Sequence, residues 1–160
     1  MKRFIAVMAV CMLLLSVVAC GPKDVLEVKH KQYTKEGMSI TLPKVFEEVN
    51  DPRLTVSYNT EEITVFINKD TVKGESLEEY ADIVYENNAD VAPSAITKID
   101  GLTTMEYSYY HPAAHVTIWY FTVMYQGAGA FWQFQFACDD AHYEEYKPHF
   151  IEWAKTVTFD

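Results

Sequence analysis

The chain has 160 residues, 49% of them hydrophobic, with 13 Lys and Arg against 23 Asp and Glu for a net charge of -10. That hydrophobic share excludes an intrinsically disordered polymer, and the length fits a single domain. An acidic chain of this kind repels phosphate backbones, which excludes nucleic acid as a partner, and charge alone does not hold it on an anionic lipid surface.

Lys2 and Arg3 make a cationic start, residues 4–15 form an unbroken apolar run, and small residues lead into Ala19-Cys20. This is the three-part layout of a secretory signal, predicted over residues 1–19. The apolar stretch from Phe4 to Ala19 spans 16 residues, short of the ~20 that a spanning helix needs. Its removal leaves 141 residues with a net charge of -12. A chain of that size buries about two-thirds of its unfolded surface without disulfide staples.

Val17-Val18-Ala19-Cys20-Gly21 resembles the lipobox of bacterial lipoproteins. The resemblance implies cleavage ahead of Cys20 and diacylglycerol on its thiol. Each buried CH₂ contributes ~0.8 kcal/mol, so two or three acyl chains hold a domain at a membrane without a basic patch. It also implies a cell-membrane location, lipid-anchored on the extracytoplasmic face. Gly21, in place of Asp, permits sorting to the outer membrane of a two-membrane cell. Of the three cysteines, Cys11 leaves with the peptide, Cys20 is acylated and Cys138 remains, so no intramolecular disulfide forms. Cys138 follows Phe136 in an apolar strand and reads as a buried, inert thiol.

Residues 20–31 read as a lipidated tether and residues 32–160 as one globular domain, with no internal repeat or second linker. Tyr33-Thr34 and residues 38–42 flank Lys35-Glu36-Gly37, a hairpin in which Gly37 supplies positive φ and Pro43 ends the second strand. Residues 54–58 and 63–67 alternate apolar and polar about a turn at 59–62, a second hairpin. Ser76-Leu77-Glu78-Glu79 is a capping box. Leu77, Tyr80, Ala81, Val84 and Tyr85 then recur at helical spacing, fading at Asn87-Asn88. Four strands follow, at 95–99, 103–110, 116–125 and 131–137. Their short connections (Asp100-Gly101, residues 111–115, residues 126–129) predict an antiparallel meander. A last helix runs from about Asp140 to Lys155, interrupted at Pro148, with Tyr143, Tyr146, Phe150, Trp153 and Ala154 as its apolar stripe. Residues 156–159 close the domain as an edge strand. The fold class is α+β: a single antiparallel sheet covered by helices.

The order of these pieces resembles the PsbP/Mog1-like family. The likeness lies in Gly37-Met38-Ser39-Ile40-Thr41-Leu42-Pro43 with Phe46, the helix opened by Ser76-Leu77-Glu78-Glu79-Tyr80-Ala81, Gly101 ahead of the meander, and Val157-Thr158-Phe159 after an aromatic helix. The resemblance spans residues 33–159 and implies an α/β/α sandwich. The family's members include bacterial lipoproteins, a photosystem accessory subunit and a small-GTPase partner, mostly binding or assembly proteins. It carries no functional residue onto this chain.

Residues 107–136 hold eleven aromatic side chains. Alternation sets Trp132, Phe134 and Phe136 on one face and Phe131, Gln133 and Gln135 on the other. They read as a core with cross-strand aromatic pairs worth ~0.2–1 kcal/mol each; the functional alternative is a groove for a sugar or peptide. His111 and His115 are candidate metal ligands if Glu106 joins them, but in a Pro-containing connection they read as solvated loop residues. His142, Glu145, His149 and Glu152 fall beside the apolar stripe as a solvated polar face. Asp139 or Asp140 serves as N-cap, and Glu144-Glu145 diverge on the helix. Gly127-Ala128-Gly129 is a hairpin turn, because a dinucleotide fingerprint needs glycine where Trp132 stands. No P-loop, Gly-x-Ser-x-Gly or His-Glu-x-x-His is present. The expected function is a lipid-anchored, non-catalytic binding or assembly module with an envelope protein as partner and no cofactor. The alternatives are an extracytoplasmic metal-dependent hydrolase and a carbohydrate-binding module.

Overall fold

The computed structural model describes residues 29–71 and 76–160. Residues 1–28, which hold the expected signal peptide, Cys20 and most of the expected tether, lie outside the described residues.

β1 (His30–Lys35) and β2 (Met38–Pro43) form the first hairpin, with Tyr33 opposite Ile40 and the turn made by Glu36 (φ 49°) and Gly37 (φ 82°). β3 (Glu47–Val49) pairs with β4 (Val56–Asn59), and β4 with β5 (Thr64–Asp70). The β4–β5 turn is closed by Thr60, whose hydroxyl accepts the Ile63 amide at 2.9 Å. β3 had no sequence signal: all three of its residues are exposed, so only backbone pairing makes it a strand.

α1 (Leu77–Asn87) opens on the predicted capping box. Ser76 Oγ accepts the Glu79 amide at 3.2 Å, and Glu79 Oε2 accepts the Ser76 amide at 2.9 Å. It ends at Asn88, whose Nδ2 donates to the Val84 carbonyl at 2.7 Å. A 3₁₀ turn (Ala89–Val91) then leads to β6 (Thr97–Ile99), β7 (Leu102–His111), β8 (Val116–Gly127) and β9 (Ala130–Asp139).

α2 (Tyr143–Lys155) starts three residues later than predicted and runs unbroken through Pro148. Asp139 and Asp140 do not cap it; Asp139 Oδ1 accepts the His142 amide at 3.1 Å in the turn before it. Proline forfeits one backbone bond, but Tyr146, Phe150 and Trp153 are buried on both sides of it and hold the helix to the sheet. β10 (Thr158–Phe159) pairs with β2.

Seven strands form an antiparallel sheet in the order β3-β4-β5-β9-β8-β7-β6, and β1-β2-β10 form a separate small sheet. Side chains alternate across β8 and β9. Phe121, Val123, Trp132, Phe134 and Phe136 pack with α2 and the small sheet, whereas Tyr120, Met124, Phe131 and Ala137 pack with α1. The central strands are therefore buried on both faces, which is why the meander is so uniformly apolar. The α+β sandwich is as predicted, but the strands do not form a single sheet: β1, β2 and β10 leave the main sheet to cover one flank of its α2 face.

Candidate binding site

The strand with the most chemistry at its surface is β7. Met105 and Tyr107 face α1, so the two-residue period sends Tyr109 and His111 to that side and Glu106, Ser108 and Tyr110 to the α2 side. Tyr107 stacks on Tyr120 with centroids 4.8 Å apart, and its hydroxyl accepts from Gln135 Nε2 at 2.7 Å. Burial raises its phenol pKa.

One edge of β7 is only partly covered. β6 pairs with Leu102 to Thr104, and Ser94 then takes Glu106: the Ser94 amide donates to the Glu106 carbonyl at 2.7 Å, and the Glu106 amide to Ser94 Oγ at 2.8 Å. Among the described residues no strand pairs with β7 on this side beyond Glu106. By the antiparallel alternation, Ser108 and Tyr110 present their N–H and C=O groups to this edge. A cavity of about 410 Å³ opens there. Val91 at the end of the 3₁₀ turn, Ala92 and Ser94 line it together with Glu106, Tyr107 and Ser108 of β7 and Trp119 of β8.

α2 organises the polar wall of this cavity. Tyr143 stacks on Trp119 at 4.8 Å and donates its hydroxyl to Glu106 Oε2 at 2.6 Å. Lys147 Nζ lies 2.8 Å from Glu106 Oε1, and Trp119 Nε1 donates to Asp140 Oδ1 at 2.6 Å. Burial, then the bond to Glu106, pushes the Tyr143 phenol up. Glu106 is thus ion-paired with Lys147 and hydrogen-bonded to Tyr143, which fixes it as part of the wall.

The candidate histidines do not converge with it. His111 ends β7, and it is buried, 9% exposed, against Tyr109 at 4.7 Å. That corrects the expectation of a solvated loop residue; its Nε2 is buried without a hydrogen-bond partner, and burial lowers its pKa. His115 is the exposed one, at φ 52° with its Nδ1 3.2 Å from the Tyr110 hydroxyl. Glu106 projects to the opposite face from His111, so strand alternation separates the proposed donors. The described residues contain no group of three or more His, Cys, Asp or Glu placed to hold a metal ion.

A second polar belt lies along the start of α2. His142 Nδ1 is 2.6 Å from Asp139 Oδ1, a bond that raises its pKa, and Tyr146 donates to the Glu62 carboxylate. Cys138 is buried, and desolvation, then Asp139 and Glu62, push its thiol to about 12. As a thiol it is inert at neutral pH. A smaller cleft of about 240 Å³ lies between β1, β2 and α2, where His149, Glu152 and Trp153 face His30.

Of the eleven aromatics, seven are buried; Trp119 and Tyr125 are half-buried, and Tyr109 and Tyr110 are 42% and 52% exposed at the open edge. Sequence reasoning missed the grouping of Trp119, Tyr143, Glu106 and Lys147, which depends on α2 crossing β7 and β8. One signal was available: residues 107–138 contain no Asp, Glu, Lys or Arg across 32 positions, in a chain 22% charged.

No family model matches the chain, and no curated protein matches it. Among solved structures it is similar to the solution structure of cyanobacterial PsbP (CyanoP) from Synechocystis sp. PCC 6803, with a TM-score of 0.57 and 10% identity. The match covers 90% of this chain and 99% of that one. The domain has a PsbP-like fold.

Proposed function

We propose that the chain is a lipid-anchored protein of the extracytoplasmic face whose domain binds a protein of the envelope and performs no chemistry. The observation that carries the binding part is the cavity at the open edge of β7, walled by aromatic rings and by a carboxylate already paired with Lys147. Its contents suit contact rather than turnover. Glu106, the carboxylate that lines it, is ion-paired with Lys147; outside it the thiol of Cys138 is inert, and His111 and His115 join no metal-holding group among the described residues. These features give the metal-dependent hydrolase reading no support. The anchoring part is supported by the lipobox-like residues 17–21. A PsbP-like fold is compatible with a binding module, although a fold alone does not assign a function.

Two measurements test this. Mass spectrometry of the native protein is expected to find diacylglyceryl on Cys20, and Cys20→Ser is expected to release the chain from membranes. Affinity purification of the native chain from solubilised envelope is expected to recover a protein partner absent from a Cys20→Ser control. An unmodified Cys20 thiol overturns the anchor. A glycan array with specific hits and no protein partner transfers the cavity to the carbohydrate reading.

A further inference from the structure

We propose that the open edge of β7 from Ser108 to Tyr110 receives an extended segment of a partner protein, bearing Lys or Arg, as an added β-strand. This rests on the binding-module reading and specifies its mode.

Strand edges invite pairing, and folded proteins blunt them with charge, proline or cover. The other edges here are charged or short, β10 at the far edge of the small sheet being only two residues long. β3 carries Glu47 and Glu48, and Glu48 pairs with Lys35 of β1 at 2.9 Å; β1 also carries Lys31, and β6 carries Lys98. The open part of β7 belongs instead to the charge-free run of residues 107–138. Its N–H and C=O groups at Ser108 and Tyr110 continue the line that Ser94 begins at Glu106. Tyr109 and Tyr110 stand exposed on opposite faces of the sheet, so an added strand meets an aromatic ring above and below its backbone. The 410 Å³ cavity at Ser108 gives room for one of its side chains.

Charge selects the occupant. Exposed Asp90 directly precedes Val91, which lines the cavity, and it enters no ion pair among the described residues. The cation near the cavity, Lys147, is held by Glu106. In a chain with a net charge of -10, this edge attracts a cationic segment and repels an acidic one. A second copy is disfavoured: a two-fold through Tyr109 overlaps only Ser108 to Tyr110 and brings two Asp90-bearing walls together.

The test uses the full chain in detergent micelles and a phage library of linear dodecapeptides. Selected peptides are expected to carry Lys or Arg. Ser108→Pro deletes one outward N–H and spares the β8 ladder, so it is expected to weaken peptide binding at least tenfold, with Ser108→Ala changing it less than twofold. Asp90→Asn and added salt are each expected to weaken it severalfold. In the unaltered protein, the Ser108 and Tyr110 amides are expected to exchange freely while Tyr107 and Tyr109 are protected, and peptide is expected to slow both at least tenfold. That readout decides the matter even if Ser108→Pro fails to fold. Peptides that bind and leave both amides fast overturn strand addition while the binding reading stands. Protection in the free protein that grows with concentration assigns the edge to a second copy, and concentration-independent protection lost on deleting residues 21–28 assigns it to the tether; either overturns the proposal. A co-purifying envelope protein that fails to protect these amides also overturns it alone, whereas no binding peptide and no co-purifying partner overturn both readings.

Discussion

His111 and His142 respond to acid in opposite senses because their surroundings differ. Burial lowers the pKa of His111 below its ordinary 6.5, so the unfolded chain takes up that proton more readily than the folded one. Its effect is to lower stability as pH falls through the usual histidine range. The Asp139 bond raises the pKa of His142, so its contribution is full below the ordinary value and fades as pH rises through the folded one. Urea midpoints measured from about pH 7 to 5 are expected to fall less steeply in His111→Phe than in the unaltered protein, and more steeply in His142→Asn. An acid slope that His111→Phe leaves unchanged contradicts this. Both histidines were visible in the sequence, but the sign of each effect was not. His111 and His115 looked alike as loop residues until β7 took the first into the sheet and left the second exposed at φ 52°.

Elements held by near neighbours were the legible ones. The capping box of α1 spans four residues and formed as predicted, and both early hairpins carried their turn residues within four positions. Elements held from a distance were not. Pro148 marked a break in α2 that the burial of Phe150 and Trp153 overrides. Gly127 looked like part of a turn, yet the positive φ values fall on Ala128 and Gly129. A Cβ on Gly127 would lie 2.3 Å from the Phe159 ring, which sits 5.5 Å from the ring of Trp132 and 5.8 Å from that of Tyr125. Gly127 is therefore the place where β10 crosses the β8–β9 hairpin. Gly127→Ala is expected to expel Phe159 and cost about 1–3 kcal/mol. Chemical denaturation followed by tryptophan fluorescence checks it, and an unchanged midpoint with an unchanged Trp132 spectrum refutes the close approach.

At the scale of the molecule, one sheet carries two unequal covers. The α2 side holds the larger cluster, centred where Phe150 stacks on Phe136 at 5.4 Å and approaches Trp153 at 5.9 Å. Phe150→Ala is expected to destabilise the domain by about 3–5 kcal/mol, because the surrounding rings collapse only partly into the space. A loss under about 1 kcal/mol in urea unfolding contradicts a close-packed centre there. The same side bears the polar wall of the cavity, since Tyr143 and Lys147 reach Glu106 from the helix that carries Phe150. Core and candidate site share one element, so partial loss of α2 packing is expected to loosen the cavity as well.

Periodicity, turn residues and capping are local properties, and they were enough to determine the element order apart from β3, the antiparallel meander and the α+β class from the sequence alone. The likeness of residues 17–21 to a lipobox is also local, being carried by adjacent residues. Only the tertiary structure decided which face each β7 side chain joins, that Glu106 meets Lys147 across 41 positions, and that β6 stops short and leaves Ser108 to Tyr110 at an open edge. Those facts depend on how far apart segments register and cross. A pairing between distant residues costs chain entropy that only the whole packed assembly offsets.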